Sequence, residues 1–163
     1  MFKKLFKSQP KIVEIFSPLN GDLIDLSEVP DPVFSQKMVG DGFAVIPNDG
    51  KLISPVKGKI KQVLPTKHAI GIETVDGLEL LIHVGLETVE LEGEGFEVLV
   101  KVGDSVEVGD QLLNFDIDFI EDNNKEIITP IVVTNYQEKI KKFCKVANSE
   151  INCKELVLKC ELV

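Results

Sequence analysis

Tryptophan is absent from this sequence, tyrosine occurs once and histidine only twice. A chain of 163 residues with so few large aromatics must build its core from Val, Ile, Leu and Phe, a set that favours strands. Cysteine is also scarce: Cys144, Cys153 and Cys160 are odd in number and show no CxxC spacing. That excludes a fully paired disulfide framework and a zinc knuckle, and leaves buried free thiols as the expectation. No apolar run reaches the roughly 18 residues that a membrane-crossing helix needs; the candidate Leu78 to Leu86 is broken by Glu79, His83 and Gly85. Met1 to Lys7 lacks both the apolar centre and the cleavage site of a secretory signal, so a cytoplasmic protein is expected. Basic residues are outnumbered 18 to 27, and the formal charge of -9 argues against nucleic-acid partners and for basic protein ones.

What is present is a set of short apolar runs cut by Gly, Pro and Asn. Residues 1–11 read as a basic tail ahead of a single domain over 12–163. In that tail Phe2, Leu5 and Phe6 would oppose Lys3, Lys4 and Lys7 on a helix, a weak membrane-surface pattern, with a disordered end as the alternative. The runs predict strands over Ile12 to Phe16, Asp22 to Leu26, Phe43 to Pro47, Lys51 to Ser54, Gly58 to Leu64, Ala69 to Thr74 and Glu79 to Val84. Four more are expected over Phe96 to Val100, Gln111 to Asp116, Ile127 to Val133 and Leu156 to Leu162. Short helical pieces are expected at Asp31 to Met38, Asp116 to Glu121 and Tyr136 to Lys142, the first capped by Asp31 ahead of Pro32. An all-β sandwich or barrel follows.

Chemistry, if any, centres on His68 and His83. Val75-Asp76-Gly77 is a hairpin signal, and pairing Ile70-Gly71-Ile72 with Leu80-Leu81-Ile82 across it brings both imidazoles to one end of adjacent strands. Alternation alone lets each ring point to either face. Two histidines make an incomplete zinc site that needs a further ligand, and no GxSxG elbow accompanies them. An acid–base pair would need a cleft, and two inert sheet histidines fit the pattern equally well.

The run Gly77-Leu78-Glu79-Leu80-Leu81-Ile82-His83-Val84-Gly85-Leu86-Glu87-Thr88-Val89 resembles the active-site signature of the glucose-type IIA domains of the bacterial phosphoenolpyruvate-dependent sugar phosphotransferase system. The likeness continues through Glu92-Gly93-Glu94-Gly95-Phe96 and the Val-Gly-Asp pair at 102–104 and 108–110. Upstream it covers Ser17 to Gly21 and Val29 to Gly42, and Glu87 stands where many members carry Asp. The resemblance implies an antiparallel β-sandwich or flattened barrel, phosphorylation of His83 at Nε2, and His68 as a companion oriented by the Thr66 hydroxyl. It implies the phosphocarrier HPr as donor, the cysteine of a sugar-specific IIB domain as acceptor, a monomer, and no required cofactor. It also implies a docking face of Val33, Phe34, Val39 and Ile82 within an acidic ring of Asp31, Asp41 and Glu87, with Gly85 leaving the nucleophile unobstructed. A phosphorylation-dependent regulator of transporters or carbon-metabolism kinases is the alternative function. A biotinyl- or lipoyl-carrier-like domain is a further one, although the turn that would present the modified lysine is missing.

Overall fold

The computed structural model describes residues 9–146 and 149–163, so most of the basic tail, residues 1–8, and its expected membrane contact lie outside the described residues. The short runs become strands β1 (Ile12–Phe16), β2 (Gly21–Asp25), β3 (Asp41–Pro47), β4 (Lys51–Ile53), β5 (Gly58–Val63), β6 (Ala69–Thr74) and β7 (Glu79–His83). They continue as β8 (Phe96–Val98), β9 (Ser105–Val106), β10 (Gln111–Phe115), β11 (Thr129–Val133), β12 (Ile140–Lys145), β13 (Glu150–Ile151) and β14 (Leu156–Leu162). Three short helices punctuate them, α1 (Pro32–Ser35), α2 (Ile117–Asp122) and α3 (Tyr136–Lys139). Asp31 caps α1 by accepting from the Val33 N–H, with Pro32 in the first turn, and Asp116 caps α2 through the Phe119 N–H.

Strand pairing is antiparallel throughout, in an eight-stranded sheet of order β13-β2-β3-β11-β7-β6-β5-β9 and two three-stranded sheets, β1-β14-β12 and β4-β10-β8. The expected all-β antiparallel architecture is the one observed. One expected element is wrong beyond its ends: the helical piece at Tyr136 to Lys142 stops at Lys139, and Ile140–Lys145 is an edge strand on β14. Its Ile-Lys-Lys-Phe-Cys-Lys sequence has no buried residue and no clean alternation, so pairing with β14 decides its conformation. The two-residue strands β9 and β13 are too short to leave a pattern.

Alternation along the central strands divides the apolar residues between two faces of the large sheet. Phe43, Val45, Ile70, Ile72, Leu80, Ile82, Ile131 and Val133 join Ile15, Leu52, Leu112 and Leu158 of the smaller sheets in the main core. On the opposite face Ala44 and Val132 join Leu26, Val29, Phe34 and Leu86 in a second, smaller cluster, with Ile24, Val39, Leu81 and Ile128 packed against it. Since His83 has the parity of Leu81 and not of Ile82, it belongs to the face of the smaller cluster.

Candidate functional site

The β6–β7 hairpin closes at Gly77, whose φ of +90° is open to glycine without a Cβ clash. The Thr74 hydroxyl secures the turn by accepting from the Leu78 N–H at 3.0 Å. Ile70 pairs with Ile82, Gly71 with Leu81 and Ile72 with Leu80, which is the register that the sequence implies. Ala69 then stands opposite His83. Strict alternation would send His68, one residue earlier, to the other face. However, His68 lies in a bend outside β6, after Lys67 with φ +65°, and its ring meets His83 edge-on with centroids 4.7 Å apart. The Val84 N–H donates to the His68 carbonyl at 2.7 Å, so the strand ends holding the two rings are tied as well.

Each imidazole has one nitrogen committed. His83 Nδ1 lies 2.7 Å from the Gly85 carbonyl oxygen. A carbonyl only accepts, so the neutral ring carries its proton on Nδ1 and leaves Nε2 with a free lone pair. His68 Nδ1 lies 2.8 Å from Thr66 Oγ1. When the Thr66 hydroxyl donates there, His68 carries its proton on Nε2 and can donate it outward. Desolvation holds the pKa of His83 below its ordinary value, against the raising effects of the Gly85 hydrogen bond and the Asp31 charge. Desolvation and then the His83 charge bring His68 down from 6.5 to about 4, against a smaller raising effect of the Thr66 backbone. Both rings are neutral near pH 7. The pair thus offers one bare nucleophilic nitrogen and one N–H donor, an arrangement suited to receiving an anionic group in transfer.

Residues 13–139 match the model of the family described as phosphoenolpyruvate-dependent sugar phosphotransferase system, EIIA 1. The chain belongs to this family. It is 51% identical over 138 residues to the PTS system glucose-specific EIIA component of Staphylococcus epidermidis, covering 83% of each chain. The component of the same name from Staphylococcus aureus is 52% identical over 138 residues, again with 83% of each covered. Among solved structures, glucose permease IIA from Mycoplasma capricolum superposes with a TM-score of 0.86 at 38% identity, over 91% of this chain and 96% of that one. As an EIIA component the chain is a phosphotransferase protein of sugar uptake.

Around the two histidines of this EIIA chain, the expected docking residues fall into three groups. Val33 is 41% exposed on α1, beside Met38 at 69%, and both are available to a partner. Phe34 is only 4% exposed: it is core of the smaller cluster, with its ring centroid 5.1 Å from that of His83, and Val39 is half-buried against the same cluster. Ile82 is a correction, since it is fully buried in the main core, as the neighbour of an outward His83 must be.

The acidic ring also needs correcting. Asp31 carries its charge close enough to act on His83, and Glu87 is exposed at φ +59° where it opens the 3-10 turn Thr88–Leu91. Asp41 does not belong with them: its parity is that of Phe43 and Val45, its charge reaches the buried Cys160, and its carboxylate is 3.3 Å from Lys37 Nζ. Gly85 is buried, so its contribution is the carbonyl that orients His83 and not an open approach for a partner. Among the described residues no group of three or more His, Cys, Asp or Glu is placed to hold a metal ion, so zinc at the two imidazoles would need a ligand from elsewhere. An open cleft of about 760 Å³ lined by Asn48, Gly95, Asn114 and Asp118 among others contains neither histidine.

Proposed function

We propose that His83 is the residue on which this chain carries the phosphoryl group, accepted at Nε2 from the phosphohistidine of HPr and passed to the cysteine of a IIB domain. The observation that supports this reading is the hydrogen bond from His83 Nδ1–H to the Gly85 carbonyl, which leaves Nε2 free to attack. In the first transfer the Nε2–P bond forms as the N–P bond of the donor breaks, and that bond's electron pair returns to the donor imidazole. No proton has to leave Nε2. With Nδ1–H retained, the phosphorylated ring is cationic, and its later departure from phosphorus regenerates a neutral imidazole, a good leaving group. The IIB thiolate then forms the S–P bond as Nε2–P breaks. Throughout, the His68 Nε2–H, oriented by Thr66, donates to the equatorial oxygens where the charge of the transition state spreads.

A relay with HPr on the cytoplasmic side, with the chain acting as a monomer and the sugar met only by the permease, completes the reading. Incubation with phosphoenolpyruvate, enzyme I and HPr should add one acid-labile phosphate, located at His83 by peptide mass spectrometry and absent from His83→Gln. Phosphate on His68 alone, or none on the wild-type protein, would reject it.

A further inference from the structure

The segment that presents the Gly85 carbonyl is an unusual one: Gly85 and Glu87 both adopt positive φ, at +74° and +59°. Glycine supplies no side chain to limit its own rotation, so whatever fixes this carbonyl must come from neighbours. Two successive peptides are involved. The Gly85–Leu86 peptide is held at both ends, its N–H donating to the Glu126 carbonyl at 3.0 Å and its carbonyl accepting from His83 Nδ1. The Val84–Gly85 peptide is held by the Thr88 hydroxyl, which donates to the Val84 carbonyl at 2.6 Å from a fully buried position. The Thr88 methyl also bounds Gly85 sterically: a Cβ there would lie 2.6 Å from Thr88 Cγ2 and 2.7 Å from the Glu126 carbonyl oxygen. The α-carbon is gripped between these two groups.

The geometry points to Thr88 as a positioning residue of the phosphoryl site, fixing the tautomer of His83 by holding the peptide pair that carries the Gly85 carbonyl. Thr88 is no catalytic residue, since it acts through Gly85. The inference rests on the reading of His83 as the phosphoryl acceptor only for its effect on transfer. Its effect on the ring is independent of that reading. Loss of the hydroxyl leaves the buried Val84 carbonyl without this donor, and the Val84–Gly85 peptide turns to find another. The carbonyl at Gly85 then swings from Nδ1, the proton of His83 redistributes to Nε2, and the lone pair needed for attack is blocked in part of the population.

The test uses the full chain with 15N-labelled histidine. In wild type the two-bond 15N spectrum of neutral His83 should show Nδ1 protonated. Thr88→Val, which keeps the shape and removes the hydroxyl, should raise the Nε2-protonated fraction and slow phosphoryl uptake from HPr by about tenfold. Thr88→Ser, which keeps the hydroxyl, should restore both. If Thr88→Val does not fold, Thr88→Ser and Thr88→Cys provide the same comparison, a strong donor against a weak one. A folded Thr88→Val with the wild-type tautomer overturns the proposal, even if uptake falls. If wild type takes no phosphate on His83, the reading of function fails, and the tautomer shift alone decides the role of Thr88.

Discussion

Which nitrogen of each imidazole is free depends on single oxygen atoms, the Gly85 carbonyl for His83 and the Thr66 hydroxyl for His68. His68→Gln retains a side-chain N–H donor and leaves His83 intact, so it should still accept phosphate from HPr but pass it to IIB at least about tenfold more slowly. Transfer to IIB at the wild-type rate would remove His68 from the relay. The same variant tests the depressed pKa. Between pH 6.5 and about 4 the unfolded chain binds a proton at His68 that the folded chain does not. This stabilising difference is therefore fully present above pH 6.5 and is lost as pH falls towards 4. On going from pH 7 to 4.5, wild type should lose on the order of 2 kcal/mol more stability in urea titrations than His68→Gln, which has nothing to titrate there. Equal losses would show that His68 is not held neutral. Part of this scale was legible beforehand: the Val75-Asp76-Gly77 turn and the register of Ile70 with Ile82 bring the two histidines to one end of adjacent strands, whereas the bend at His68 after Lys67, which brings its ring to that of His83, left no pattern to read. Alternation also contained the answer for Ile82 and Asp41, which sit one residue from an outward His83 and two from an inward Phe43. Thr88 left no such trace, because its role arises only where two positive-φ residues bring its hydroxyl back to Val84.

Among the elements, α1 carries a division of labour within three residues. Pro32 sets the first turn, Val33 faces out, and Phe34 fills the smaller cluster against the His83 ring. Phe34→Ala should therefore cost about 3–5 kcal/mol in thermal or urea unfolding, the usual range for emptying a buried aromatic site. Val33→Ala should change stability by less than about 0.5 kcal/mol. Its effect should instead be a weaker apparent affinity for HPr in uptake assays. A Phe34→Ala protein as stable as wild type would return Phe34 to the role of a surface contact. Strand positions were readable wherever apolar runs were bounded by turn residues, and β1, β6 and β14 coincide with expectation at both ends. Reading failed at β12, where lysines on both sides of Phe143 erase the period and only the backbone of β14 imposes extension. Helix α1 is shorter than expected because the chain leaves it at Gln36 and passes Lys37 at φ +58°.

For the molecule as a whole, we propose that the charge of -9 steers basic partners towards Asp31 and Glu87 through its long-range field. Asp31→Asn with Glu87→Gln should lower the second-order rate of transfer from HPr several-fold at low salt. The gap should close as salt shortens the screening length from about 10 Å at 0.1 M to about 3 Å at 1 M. Asn caps a helix as well as Asp does, so the double variant should keep α1 and its stability. Single-turnover rates at rising HPr concentration decide the matter. A salt-insensitive change in the saturating rate would mean that the carboxylates tune the histidines and do not steer. The order of the large sheet has a different consequence. Strand β7 is flanked by β6, its immediate predecessor, and by β11, which is made only after β8 to β10 and α2; the carbonyl that grips Gly85 belongs to Glu126, just before β11. In sequence, the two histidines and Thr88 all precede the residue that completes the grip on Gly85. The site thus joins a local hairpin to a contact distant in sequence, so its final geometry depends on β11 being in place beside β7.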